Sequence, residues 1–223
     1  MSEKIIIYGL GPFAKLMHYY FTMDSAYDVS GFCVDKEYMT QEKFCELPVS
    51  SLEGAAEKWN AELYRMFVAI GYRKMRDRTI MFDKVKKLGY QLVNYISSHA
   101  IVYDNLVIGE NNVVMANVNI EPWVRIEDNN IFWSDTLLGH NLEVGSHNYV
   151  SAKCLLAGDM VIKDLCFIGN GAVTINQIVI EDETHLLPGA VLLESTKPYG
   201  RYSGNPAIYV SSHNENGIII KRG

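Results

Sequence analysis

The segment LLGHNLEVGSHNYVSAKCLLAGD, residues 137–159, sets one imidazole, His140, among residues that favour turns. A histidine adds nothing obvious to a tight bend, but it takes up a proton near neutral pH and gives it back, as a general base must. A packed or solvated histidine is the plainer reading of the same residue. A second stretch with chemical potential is Gly9-Leu10-Gly11-Pro12-Phe13-Ala14, a GxGxxA turn after an apolar run, with Asp35 closing the next such run. A turn of this kind lets phosphate approach backbone amides at a helix start, and the later carboxylate suits a ribose hydroxyl. Glycines are also common wherever a strand bends sharply into a helix.

The elements that would carry His140 are read from a repeat. From Ile96 to Lys197 the chain falls into seventeen six-residue units without a slip, led by Ile, Val or Leu in all but two, where Phe132 and Thr174 stand. The fifth place holds residues such as Ala, Val, Thr, Cys, Asn and Leu, a second inward site of limited volume. An ordinary strand alternates for four to eight residues and then breaks, whereas here the punctuation itself recurs. Each unit is too short to bury its own apolar side, so only stacking makes a core. The third place runs through Ser134, His140, Ser146, Ala152, Gly158 and Asp164, mostly turn formers or small polar residues, and His140 is the one histidine among all such places.

Before the repeat, KIIIYG, DVSGFCVD, MFVAIG and YQLVNYI read as strands, and PFAKLMHYYFTM, SLEGAAEKW and KMRDRTIMFDKVKKLG as helices between them. That alternation predicts an α/β domain with a short parallel sheet, Rossmann-like and about half the size of a full dinucleotide fold. The expected division is 1–95 for this substrate-binding domain, 96–197 for the repeat and 198–223 for a C-terminal segment.

The units IGENNV, VGSHNY and IGNGAV resemble those of the hexapeptide-repeat acyltransferases. The resemblance implies a left-handed parallel β-helix, three units to a coil and five to six coils in all. A Rossmann-like domain followed directly by such a helix looks like the NeuD/PglD-type sugar acyltransferases over nearly the whole chain, although their nucleotide-sugar branch carries Gly-His where this chain has Pro12-Phe13. What the resemblance implies is transfer of acetyl from acetyl-CoA to an amine or hydroxyl of a sugar, nucleotide-linked, in glycan or surface-polysaccharide synthesis. His140, in its LGHN context, would remove the acceptor's proton and then protonate the thiolate of coenzyme A. Gly158, one coil on, would offer its amide to the developing oxyanion, or simply allow a left-handed backbone. Asn141 follows the histidine where the family often has an acid, and Asn141, Asp135 and Glu143 are the candidates to orient the ring. His147 either lines the substrate pocket or lies on a surface. Gly9, Gly11, Pro12, Phe13 and Asp35 would bind the nucleotide. Lys197, Arg201 and the loop Gly204-Asn205-Pro206-Ala207, similar to the family's closing GNPA segment, would cover coenzyme A beside Gly158. A homotrimer is implied, with the active site between neighbouring helices. The aromatics Trp123, Phe132 and Trp133, close in sequence, suit either an outward subunit contact or stacking inside one subunit.

Composition narrows the alternatives. In 223 residues the formal charge is −6 and the sequence pI about 5.5, which disfavours nucleic acid or an anionic membrane as the main partner. The opening apolar run is too short for a signal peptide or membrane span, so the expectation is a cytoplasmic protein. Cys33, Cys45, Cys154 and Cys166 form no CxxC pair and read as small apolar fillers. Three further readings stand beside acyl transfer. A zinc hydrolyase of the carbonic-anhydrase type needs three converging histidines, and His140, His147, His99 and His185 do not share a position. A non-catalytic scaffold keeps the helix for assembly alone. A dehydrogenase needs a second nucleotide half, which has no counterpart here.

Overall fold

The computed structural model describes residues 2–213 and 216–221. The chain divides into two compact units, Met1–Gly71 with Asp77–Tyr95, and Tyr72–Arg76 with Ile96–Gly223.

In the first unit, strands β1 (Glu3–Tyr8), β2 (Tyr27–Val34), β4 (Leu47–Ser51) and β5 (Tyr64–Val68) run parallel in the order β4-β2-β1-β5, and β3 (Lys43–Phe44) adds an antiparallel edge to β4. Ile5, Ile6 and Ile7 are fully buried, as consecutive apolar residues are when a parallel sheet is covered on both faces. Helix α1 (Pro12–Met23) starts with Pro12 at its first turn, where a missing N–H costs nothing, and buries Ala14, Met17 and Phe21. Two strands differ from expectation. YQLVNYI gives the first sheet only a single parallel bridge, Leu92 to Met66, and its last two residues, Tyr95–Ile96, form a short strand of the repeat instead. The β3–β4 hairpin turns at Cys45 and Glu46, both with positive φ, a conformation usually signalled by Asn or Gly; its residues therefore gave no warning.

The second unit is a left-handed parallel β-helix. Its two-residue strands stack on three faces. The first carries Ile101–Val102, Asn119–Ile120, Leu137–Leu138, Leu155–Leu156, Val173–Thr174 and Val191–Leu192; the second carries Val107–Ile108, Arg125–Ile126, Glu143–Val144, Val161–Ile162 and Val179–Ile180. The third runs from Tyr95–Ile96 through Val113–Val114, Ile131–Phe132, Tyr149–Val150, Phe167–Ile168 and His185–Leu186 to a closing hairpin, Gly200–Gly204 with Ala207–Ser212. Partners on a face are eighteen residues apart, as Asn119 to Leu137 to Leu155, so three hexads make one coil. From Val114 on, each of these two-residue strands turns its second residue, the hexad lead, inward: Ile120, Phe132, Leu138, Val150, Leu156 and Ile168 are all fully buried. Phe132 therefore belongs to the core, not to an outward aromatic cluster; Trp123 is exposed and Trp133 half-buried. The fifth places are inward as well. Three of them form a ladder up the interior, in which Asn112 Oδ1 accepts from the Asn130 amide N–H, Asn130 Oδ1 from that of Asn148, and Asn148 Oδ1 from that of Cys166.

The left-handed backbone residue recurs at the fourth place of the hexad, not the third. Positive φ recurs at Asn111, Asn117, Trp123, Asn129, Asp135, Asn141, His147, Lys153, Asp159, Leu165, Gln177 and Glu183. Asn, Asp and Gly adopt this conformation with least strain, which accounts for the many asparagines that follow the third place.

Candidate active site

His140 stands on the edge between the first and second faces, in the bend 139–142. Gly139 makes the bend possible: a β-carbon there would lie 2.5 Å from the Gly158 nitrogen of the next coil. The imidazole is half-exposed and lies directly over Gly158, where a β-carbon would sit 2.8 Å from Cε1 and 2.9 Å from Nε2. The coils are tied here by the Asp159 amide, which donates to the His140 carbonyl at 2.8 Å. Gly158 itself has no positive φ, so its lack of a side chain serves the ring above it and not its own backbone. Third-place amides elsewhere are satisfied by side chains of the adjacent coil, as Glu110 donates to Asp128, Ser146 to Asp164 and Ala152 to Asn170. The Gly158 N–H, on a buried residue, has no acceptor among the described residues. A buried amide without a partner is a rare feature in a folded chain.

Two acids flank the ring that the sequence reading did not single out. Asp159 Oδ2 is 3.8 Å from His140 Nδ1, and its Oδ1 accepts from Asn141 Nδ2 at 2.7 Å; that carboxamide in turn lies 3.3 Å from Nδ1. Glu121, one coil back, accepts from the His140 backbone N–H at 2.9 Å. Of the residues named in advance to orient the ring, Asn141 is beside it. Asp135 occupies a different edge and accepts from Asn117 Nδ2 at 3.1 Å, while Glu143 is on the second face, over a shallow charged cavity. The signal that finds Asp159 is arithmetic: it is Asn141 plus eighteen, one coil on.

His147 is on the edge between the second and third faces, its Nδ1 2.9 Å from Asn129 Nδ2, and is not brought to His140. Arg201 pairs in register with His185 at the end of the third face, Lys197 Nζ lies 5.9 Å from the centre of the Tyr209 ring, and Gly204, Asn205, Pro206 and Ala207 form the turn of the closing hairpin. An opening of about 480 Å³ over the second face and one of about 800 Å³ over the third both exclude His140.

In the first unit Gly9 has φ +127 and gives its N–H to the Cys33 carbonyl; a β-carbon there would lie 3.1 Å from the Ala69 carbonyl oxygen, so close packing alone explains it. Gly11 caps α1 in open space beside exposed Pro12 and half-buried Phe13. Asp35 is buried and ion-paired with Lys84 at 2.6 Å, so its carboxylate already has a partner inside its own unit. Burial pushes the Cys154 thiol up to about 11 and raises Cys33 and Cys166 further, which keeps all three protonated at neutral pH. No three His, Cys, Asp or Glu side chains are grouped to hold a metal ion among the described residues, and none of the described helices is long and apolar enough to cross a membrane.

Comparison with known proteins places this architecture. The family model for the bacterial transferase hexapeptide (six repeats) matches residues 105–140. A UDP-3-O-acylglucosamine N-acyltransferase from Herminiimonas arsenicoxydans is 28% identical over 123 residues, which is 53% of this chain and 33% of the relative. The chain spans about a third of the length of such curated relatives. Among solved structures, the acetyltransferase domain of PglB from Neisseria gonorrhoeae FA1090 in complex with acetyl coenzyme A superposes with a TM-score of 0.83 at 21% identity, over 94% of this chain and 100% of that one. PerB from Caulobacter crescentus, in complex with CoA and GDP-perosamine, gives 0.80 at 24% identity, over 93% and 97%. At these identities the likeness establishes a shared fold across both units.

Proposed function

We propose that this protein transfers an acetyl group from acetyl-CoA to an amine or hydroxyl of a sugar, nucleotide-linked, for glycan or surface-polysaccharide synthesis. The observation that carries the reading is the pairing of a half-exposed imidazole with the unpartnered Gly158 amide directly beneath it. His140 is the base that takes the acceptor's proton as its nitrogen or oxygen attacks the thioester carbon, and the acid that returns a proton to the departing thiolate. Asp159 stabilises the imidazolium formed between those steps, and Glu121 with Asn141 holds the bend that carries the ring. The Gly158 N–H meets the charge that develops on the thioester oxygen, where a fixed donor acts without reorganisation. No covalent enzyme intermediate is needed. Support for the co-substrate comes from the like-folded PglB domain and PerB, which bind acetyl coenzyme A and CoA respectively, and for the acceptor class from PerB, which also binds GDP-perosamine.

The assembly that serves this chemistry is a homotrimer. The outward places of the first face are Ile101, Leu137, Leu155, Val173 and Val191, interrupted by Asn119, whereas those of the second mix Arg125 and Glu143 with Val107, Val161 and Val179. The more uniformly apolar first face is the natural contact surface between copies. The test of function is thiol release from acetyl-CoA with a panel of free and nucleotide-linked amino and hydroxy sugars, in wild type and His140→Ala; equal turnover by the two proteins overturns the assignment.

A further inference from the structure

Of all the hexad leads Thr174 is the one polar residue, buried on the first face between Leu156 one coil back and Leu192 one coil on. A hydroxyl in such a place needs partners of its own. Thr174 Oγ1 has two: it accepts from the Ala157 N–H at 2.9 Å and donates to Met160 Sδ at 3.3 Å.

The bond from Ala157 departs from the pattern of the surrounding coils. There the second-place N–H goes to the lead carbonyl one coil on, as Glu121 donates to Leu138 at 2.9 Å, Gly139 to Leu156 at 2.8 Å and Gly169 to Leu186 at 2.9 Å. At Ala157 the side-chain oxygen of Thr174 replaces that carbonyl. The ladder records the change. Leu137–Leu138 pairs at both residues with Asn119–Ile120 and with Leu155–Leu156, whereas Leu155–Leu156 meets Val173–Thr174 through Leu155 and Val173 only. The bond that follows is stretched as well: the Gln177 N–H reaches the Gly158 carbonyl at 3.4 Å, where the equivalent bond is 2.8 Å from Asp159 to His140 and 3.0 Å from Gly171 to Ala152. The backbone at 157–158 is thus held off its regular track directly beneath His140. A third observation concerns the Gly158 N–H. The Ala152 amide donates to Asn170 Oδ1, one coil on, at 3.1 Å. Gly158 stands in the same relation to Asn176, yet that carboxamide does not take its N–H.

Resting on the transfer reading above, we infer that Thr174 is a positioning residue for the oxyanion donor, drawing the Ala157 N–H onto its inward hydroxyl so that the next amide, Gly158, is kept from Asn176 and left for the thioester oxygen. Two oxygens of residue 174 compete for one N–H. The carbonyl would close the ladder, whereas the hydroxyl draws the chain toward the interior. Met160 completes the device, because its sulfur takes the hydroxyl hydrogen and leaves a lone pair for Ala157. A buried amide without a partner costs free energy and persists only where its surroundings fix it, and a donor fixed in advance needs no reorganisation as charge develops.

Thr174→Val removes the hydroxyl and keeps the branched shape; valine already fills the inward leads at Val114, Val144 and Val150, so the variant is expected to fold. With only the carbonyl left, the ladder closes at 157 and the Gly158 N–H passes to Asn176. In the thiol-release assay kcat should then fall about tenfold or more while both KM values stay within about twofold, because the loss falls on the transition state. Thr174→Ser retains the hydroxyl and should keep kcat within about threefold of wild type. A crystal structure of Thr174→Val reads the geometry apart from turnover, with the Ala157 nitrogen expected in hydrogen-bond reach of the carbonyl of residue 174 and the Gly158 nitrogen in reach of Asn176 Oδ1. Wild-type kcat in Thr174→Val, an equal loss in the valine and serine variants, or an unmoved backbone at 157–158 each overturns the positioning role. A wild type that releases no thiol with any acceptor sinks the transfer reading even where the backbone moves as expected, whereas full turnover by wild type and Thr174→Val alike sinks the positioning role and leaves the transfer standing.

Discussion

The ring of His140 occupies the space that a side chain at position 158 would fill, with Cε1 2.8 Å from the place of a Gly158 β-carbon. Ala116 and Ala152 hold the equivalent third place in other coils, so the helix tolerates a methyl group there. At 158 the methyl group would also lie 2.9 Å from the His140 carbonyl oxygen, so Gly158→Ala is expected to lose about 1–3 kcal/mol of stability while kcat drops on the order of 10²-fold, because the imidazole is displaced from the amide. A variant of full activity removes the packing argument.

His140→Ala should lower kcat by roughly 10²- to 10⁴-fold, the usual contribution of a positioned base, and leave both KM values near wild type. Stopped-time thiol assays with both substrates saturating give the comparison. A loss confined to KM would assign the ring to binding instead.

Asp159 acts on the reaction through the imidazole and is a positioning residue. In Asp159→Ala the Asn141 carboxamide loses its 2.7 Å acceptor and the imidazolium loses its nearest carboxylate, and kcat should fall on the order of tenfold. Asp159→Asn keeps an acceptor for Asn141 and should recover part of the loss; identical kinetics in the two variants would argue for a purely structural role.

The interior ladder is expected to matter for stability alone. Asn130→Ala strips the acceptor from the buried Asn148 amide and the side-chain donor from the Gly145 carbonyl, while Asn112 Oδ1 keeps the Asn130 backbone N–H. Leaving such groups unpaired costs on the order of 3 kcal/mol, measurable as a lower urea midpoint with kcat intact in the folded fraction.

His185 predicts a pH dependence of stability. Its folded pKa of about 4 lies below the value of an exposed histidine, so between the two the unfolded chain binds more protons and acidification favours unfolding. Its contribution is complete above about pH 6.5 and is lost as pH falls toward 4. Arg201 and His213 face the same ring and deepen the effect. His185→Gln should show a shallower fall in melting temperature over this window, and a parallel fall would exclude His185 as its source.

The six-residue beat made the helix legible, because a core built by stacking repeats its inward places coil after coil: Ile120, Leu138, Leu156 and Thr174 are successive leads on one face and all are buried. His140 was legible for the same reason, as the odd residue in a regular list. The acids around it were not, since Glu121 and Asp159 reach it across coils and each also looks like an ordinary turn residue. The inward turn of Phe132 follows from its lead place, and only a general expectation about aromatics hid it. Least legible was the cavity over the third face, because Tyr72 is contributed by a segment more than seventy residues before Tyr149 and outside the repeat.

Partners at eighteen-residue intervals turn the prism into a graduated rule. Gain or loss of one whole coil between His140 and the closing hairpin would slide that hairpin along the axis by a single notch of about 4.8 Å, with every inner and outer assignment kept. A change of six or twelve residues would instead swing everything downstream onto another side. Reach from the imidazole to the far tip of the molecule is thus available to this architecture only in discrete lengths.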